Sequence, residues 1–114
     1  MIEVYRMQDD DGRGPWRAGL SKYWRDDREG ITETAMDLVG GINEMQSLPS
    51  GYVYGCACLS VEQLKQWFSE KERAILESIG YKIVKVKVSH IVACGKHQVL
   101  IASKKPFQEC IVET

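Results

Sequence analysis

The chain has 114 residues, 44% of them apolar and 27% charged, with 15 basic and 16 acidic side chains. That length fits one domain, and a net charge of −1 gives no general attraction to nucleic acid or anionic lipid, which argues against non-specific nucleic-acid binding. No apolar run reaches the length of a membrane span and the N-terminus carries no charged-then-apolar leader pattern, so the expectation is a cytoplasmic protein with no membrane partner.

Residues 2–7, IEVYRM, are β-rich and loosely alternating, which predicts a first strand. Ile2, Val4 and Arg6 share one face; Glu3, Tyr5 and Met7 share the other. Arg6 therefore sits on a face that otherwise reads as apolar. An arginine at a strand end usually snorkels to the surface. Turned inward, it needs an anion or an acid as its partner.

Residues 8–30 read as one long loop. Asp9, Asp10, Asp11, Gly12, Gly14 and Pro15 exclude regular structure from its first half. The three aspartates lack the spaced ligands and terminal glutamate of a calcium loop, so a solvated turn is the expectation. The second half sets Trp16, Tyr23 and Trp24 among Arg17, Lys22, Arg25 and Arg28. Disordered segments rarely hold so many rings, so the loop is expected to be ordered. Trp, Tyr and Arg dominate interface hot spots, which makes Trp16, Arg17, Tyr23, Trp24 and Arg25 the candidate contacts to a partner protein.

A short helix is expected over 32–39, capped by Thr32 and ended by Gly40 and Gly41, and a turn over 47–51. The run 52–59, YVYGCACL, predicts a second strand whose small central residues let a backbone or a ligand approach closely. Two capping boxes follow, Ser60 with Gln63 and Ser69 with Glu72. The first opens a helix with Leu64, Trp67 and Phe68 on one stripe. The second opens a helix with Ala74, Ile75 and Ile79 as its apolar side, stopped by Gly80. From Tyr81 the period changes: Val84, Val86 and Val88 face in, and Lys85 and Lys87 face out. The stretch 89–96 is short and irregular in pattern. Val99 to Ala102 are apolar without alternation, which predicts a central strand. Lys104, Lys105 and Pro106 end it, and ECIVE at 109–113 reads as a last edge strand. The class is α+β: a mixed or antiparallel sheet of about five strands with two or three helices.

Nothing indicates export, so Cys56, Cys58, Cys94 and Cys110 are expected as reduced thiols. Cys56 and Cys58 share a strand face, and Cys94 with His97 forms C-x-x-H. These could make a zinc site, yet C-x-C spacing suits zinc poorly, and small buried thiols are the simpler reading, with no metal expected. A Cys94–His97 dyad is not favoured, since neighbours in sequence on a turn need not touch. No phosphate-loop, dinucleotide or nucleophile-elbow motif is present, and DGRG lacks a helix directly behind it.

One order of features carries a resemblance. Val4-Tyr5-Arg6 in a first strand is followed by a loop, then a strand running into a helix from Gly51 to Phe68. An alternating strand and a polar residue, Gln98, at the start of a late strand come after. This order resembles the ADP-ribosyltransferase-like fold, and DGRGPWR with GYVYGCACLSVEQLKQWF resembles small phage and prophage proteins. The resemblance implies an NAD-like or phosphorylated ligand, with NAD as the candidate cofactor. It places Arg6 against the phosphates, where a fixed guanidinium suits an anion, with Arg13 and Trp16 beside the ligand and Tyr54 near the nicotinamide. Gln98 falls near the catalytic glutamate of that family, so Arg6 and Gln98 are the candidate catalytic pair. A neutral amide accepts a hydrogen bond but supplies no negative charge, so ligand binding is implied more firmly than transfer. The alternative is a phage-type inhibitor that binds a host or defence complex, as anti-CRISPR proteins do, without catalysis.

Overall fold

The alternation of the first strand and of the Val84–Val86–Val88 strand has one consequence that organises the molecule: paired edge to edge, they lay their apolar side chains on the same face of one sheet. In the computed structural model, which describes residues 1–15 and 35–112, β1 (Ile2–Gln8) lies antiparallel to β3 (Lys82–Val88), with Ile2 opposite Val88 and Arg6 opposite Val84. A second sheet has the order β2 (Val53–Ala57), β5 (Val99–Ser103), β4 (His90–Cys94), again all antiparallel. The apolar run of β5 is buried at every position and takes the centre of this sheet. The class is thus α+β with five antiparallel strands, divided between two sheets.

An antiparallel bridge between Tyr5 and Cys58 joins the sheets. Tyr5 N–H donates to Cys58 C=O and Cys58 N–H to Tyr5 C=O, both at 2.8 Å. On one side of this seam lies a cluster of Val4, Val84, Val86, Val88, Val99, Ile101 and Phe107. On the other lies a cluster of Met7, Cys58, Leu64, Trp67, Phe68, Leu76 and Tyr81.

The helices are set by short-range chemistry. Helix α3 (Val61–Trp67) starts where Ser60 Oγ accepts from Gln63 N–H at 3.0 Å. Gln63 Oε1 reaches back to Leu59 N–H at 2.8 Å, one residue before the position a regular capping box uses. Leu64, Trp67 and Phe68 are buried as the stripe predicts. Helix α4 (Glu70–Ser78) carries the complete box, Glu72 N–H to Ser69 Oγ at 3.1 Å and Ser69 N–H to Glu72 Oε1 at 2.9 Å. It stops at Gly80, with φ +98°, and Tyr81 N–H closes the end on Leu76 C=O at 3.0 Å. Its buried positions are Leu76 and Glu72, whereas Ala74 is exposed and Ile79 is 41% exposed. The expected Ala74–Ile75–Ile79 face is corrected accordingly: the helix is short, and one leucine in its last turn does the packing.

Three further expectations change. Helix α1 (Ala35–Val39) ends at Gly40 as anticipated, but a second short helix, α2 (Ile42–Gln46), restarts directly after the glycine pair. The stretch read as irregular contains β4, whose irregularity is a shift of register between Ile91 and Ala93. The expected last strand, 109–113, is reduced to an antiparallel bridge of Ile111 to Val86, with Lys87 N–H donating to Cys110 C=O at 2.9 Å and Val112 N–H to Lys85 C=O at 2.8 Å. Its first residue falls in a 3₁₀ turn (Phe107–Glu109) that Pro106 opens and whose Phe107 is drawn into the core. Among the described residues, no helix is long and apolar enough to cross a membrane.

Candidate functional site

Past the Tyr5–Cys58 bridge, β1 and β2 part. The side chain of Arg6 fills the opening and is only 3% exposed. Its Nη1 donates to Cys56 C=O at 2.7 Å, its Nη2 to Gly12 C=O at 3.2 Å and its Nε to Gln8 Oε1 at 2.9 Å. The Phe107 ring lies 4.2 Å from the guanidinium carbon, a cation–π contact. Gln8 is itself fully buried and its Nε2 reaches Phe107 C=O at 3.5 Å.

Arg6 therefore faces inward, and the acid partner expected for an inward arginine is replaced by neutral acceptors and an aromatic face. Among the described residues, no carboxylate accepts a hydrogen bond from it. Burial pulls its pKa down to about 10, against the opposing pull of Cys56, Cys110 and Asp9, so the group stays charged at neutral pH. Two of its five N–H donors are not used by these three bonds.

The small residues of β2 make this possible. A Cβ on Gly55 would stand 2.5 Å from Arg6 Nη1 and 2.8 Å from Phe107 Cε2. The close approach expected over this strand is thus filled by the guanidinium and the ring.

The DDDGR stretch forms a compact turn. The Asp9 carboxylate accepts from Asp11 N–H at 3.0 Å, Arg13 N–H at 2.9 Å and Arg13 Nε at 2.9 Å. Burial acts to raise the Asp9 pKa, but these bonds and the Arg13 charge outweigh it and hold the carboxyl below its usual value. Gly12 turns the chain at φ +81°, packed against Gln108, where a Cβ would stand 2.4 Å from Oε1. Arg13 Nη2 also binds Asp11 Oδ2 at 3.0 Å. The turn is only half solvated, since Asp9 is its buried anchor.

A cavity of about 650 Å³ opens at the seam. Arg6, Arg13, Tyr54 and Gln98 all line it, so four of the predicted ligand and catalytic residues share one cleft. Arg6 and Gln98 are not hydrogen-bonded to each other. Gln98 is 2% exposed, and its C=O accepts from Gly95 N–H at 2.8 Å. Tyr54 donates through its hydroxyl to Pro49 C=O at 2.5 Å. Apolar walls come from Met7, Leu64, Trp67, Phe68 and Phe107. Pro15 and Ala35, on either side of the undescribed segment, also line it. Trp16, Arg17, Tyr23, Trp24 and Arg25 lie outside the described residues.

Sequence reasoning missed Phe107, Gly55 and Gln8. The glycine was visible as a small residue in a strand; nothing local marked the other two.

The cysteines do not gather. Cys58 and Cys110 lie in different core clusters, Cys58 Sγ 3.7 Å from His97 C=O and Cys110 Sγ 3.3 Å from Pro106 C=O, while Cys94 is exposed. His97 stacks on the Trp67 ring, centroids 4.5 Å apart. Among the described residues, no three His, Cys, Asp or Glu side chains come together to hold a metal.

Comparison with known protein families gives a match. A family model described as "Bacteriophage T4 Y00F protein" matches residues 1–110. No curated protein and no solved structure matches the chain.

Proposed function

The chain belongs to the bacteriophage T4 Y00F protein family, and we propose that this phage-type protein binds a small anionic molecule in the seam cavity, with Arg6 meeting the acid. One observation carries this reading: a guanidinium 3% exposed, held among the described residues by neutral acceptors, forms part of the wall of a cavity of about 650 Å³. Burying a charge without a counter-charge is costly, and a ligand anion supplies that counter-charge. The volume falls within the range of about 300–1,000 Å³ usual for small-molecule sites.

NAD and phosphorylated ligands are tried beside simple organic acids, because Arg6 and Gln98 line the same cavity. The proposed role stops at binding. Group transfer at an anomeric carbon needs negative charge opposite a developing cation, and Gln98 offers a neutral amide. The inhibitor reading, in which Trp16 to Arg25 contact a host or defence complex, is compatible with a phage family and predicts a protein partner in place of a ligand.

The test is thermal unfolding with NAD, ADP-ribose and a panel of small organic acids. A ligand at a hundred times its Kd adds about 2.7 kcal/mol, and the gain should vanish in Arg6→Gln. No shift with any of them refutes the ligand role. A stoichiometric host protein recovered on the tagged chain, and lost on charge reversal at Arg17 and Arg25, would establish the inhibitor reading instead.

A further inference from the structure

Resting on the ligand-binding reading above, we infer that the cavity takes a molecule with one acidic group on a flat apolar body, and not a polyanion such as a dinucleotide. The cavity is lined by two cations among the described residues, Arg6 and Arg13. Arg13 is already matched, to Asp9 at 2.9 Å and Asp11 at 3.0 Å, with half its side chain in solvent. Among the described residues, Arg6 is the lining cation that hydrogen-bonds to no carboxylate. One anion balances it.

A second negative group would gain nothing further there. Asp11 itself lines the cavity, so an extra acid meets a carboxylate of like sign, and a buried unpaired charge is strongly disfavoured. Much of the remaining wall is apolar. Met7, Leu64, Trp67, Phe68 and Phe107 present aliphatic and ring surface, which suits the faces and edges of an aromatic body. The buried Gln98 contributes amide chemistry but no charge.

Two dyes with nearly the same ring body separate the parts of this claim. 8-Anilinonaphthalene-1-sulfonate carries one acid; N-phenyl-1-naphthylamine carries none. Each is titrated into the full chain by fluorescence, then challenged with NAD and ADP-ribose. The sulfonate should saturate at one site per chain, raise the unfolding temperature and bind at least tenfold more tightly than the neutral dye. NAD and ADP-ribose should fail to displace it. The temperature rise distinguishes a native site from dye on an unfolded fraction. Arg6→Gln should bring the two dyes within twofold of each other. Should that variant not fold, Asp11→Asn at an exposed position serves in its place: removing the like charge should improve ADP-ribose relative to the sulfonate at least threefold. Equal binding of the two dyes to the native chain overturns the inference. Displacement of the sulfonate by NAD or ADP-ribose overturns it too, while leaving the ligand role intact. Binding by none of the four overturns both.

Discussion

Gly55→Ala is a change of one methyl group whose sign depends on the Arg6 arrangement. In an ordinary strand, alanine in place of glycine is favourable by about 0.5–1 kcal/mol, through the lost freedom of the unfolded chain. Here the new methyl would stand 2.5 Å from Arg6 Nη1, 3.3 Å from Arg6 Cζ and 2.8 Å from Phe107 Cε2. Both neighbours are side chains, but neither is free to swing. Arg6 is tied to three acceptors, and Phe107 lies 3% exposed within the core. Overpacking of this kind costs roughly 1–3 kcal/mol. Loss of the 2.7 Å bond to Cys56 C=O, made by a charged donor, costs about 1.5–3 kcal/mol more. Taking about 2 kcal/mol for each and subtracting the backbone gain leaves a net loss of about 3 kcal/mol. For a domain of this size that corresponds to roughly 12 °C in Tm, at about 4 °C per kcal/mol. Thermal unfolding by circular dichroism reads it directly. Phe107→Leu in the same chain should recover part of the loss, since the ring is one of the two obstructions. A Gly55→Ala protein as stable as the parent, or more so, refutes the packing of Arg6 between β2 and Phe107.

Arg6→Lys should destabilise by about 2–4 kcal/mol in urea unfolding, because one ammonium cannot reach three acceptors placed around a planar fork, and those left are buried without partners. The Asp9 carboxyl titrates below its usual value when folded. Its contribution is therefore complete above the ordinary aspartate range and lost as pH falls through the folded value. Stability measured from pH 6 down to pH 2 should fall more steeply for the parent than for Asp9→Asn, and the two curves should converge at the acid end. Ser69→Ala removes one half of the capping box at α4 and should cost about 1 kcal/mol by urea unfolding without altering the native fold.

What could be read from the chain is what rests on near neighbours. Ser60 and Ser69 act on the amides three residues ahead, and Gly80 ends its own helix, so both starts and the stop are legible locally. The valine–lysine alternation of β3 carries its own inside and outside. Arg6 was legible only as an anomaly: a charge on an apolar face. Its solution lies 50 residues away at Cys56 and further still at Phe107, and no periodicity connects those positions. The same holds for the division into two sheets, which depends on where β1 and β2 part. ECIVE has strand-like composition and does pair beside β3 through Ile111, but Pro106 and the burial of Phe107 put its first residue in a turn and leave a bridge in place of a full strand. The restart of helix at Ile42 was masked by a glycine pair that reads locally as a stop.

The pairing of β1 with β3 has a consequence for synthesis. Ile2 lies opposite Val88 and Gln8 opposite Lys82, so the first strand to be made pairs with one completed some 80 residues later. At roughly 5–20 residues per second of translation, β1 waits on the order of 4–16 s for its partner. Through that interval a β-rich segment is exposed to neighbouring nascent chains. The charges that flank and interrupt it, Glu3, Arg6 and the three aspartates after Gln8, stand where gatekeeper residues hold such a segment apart. Arg6, which later bonds across to Cys56 of β2, thus serves the unfinished chain as well, as a charge within its first strand.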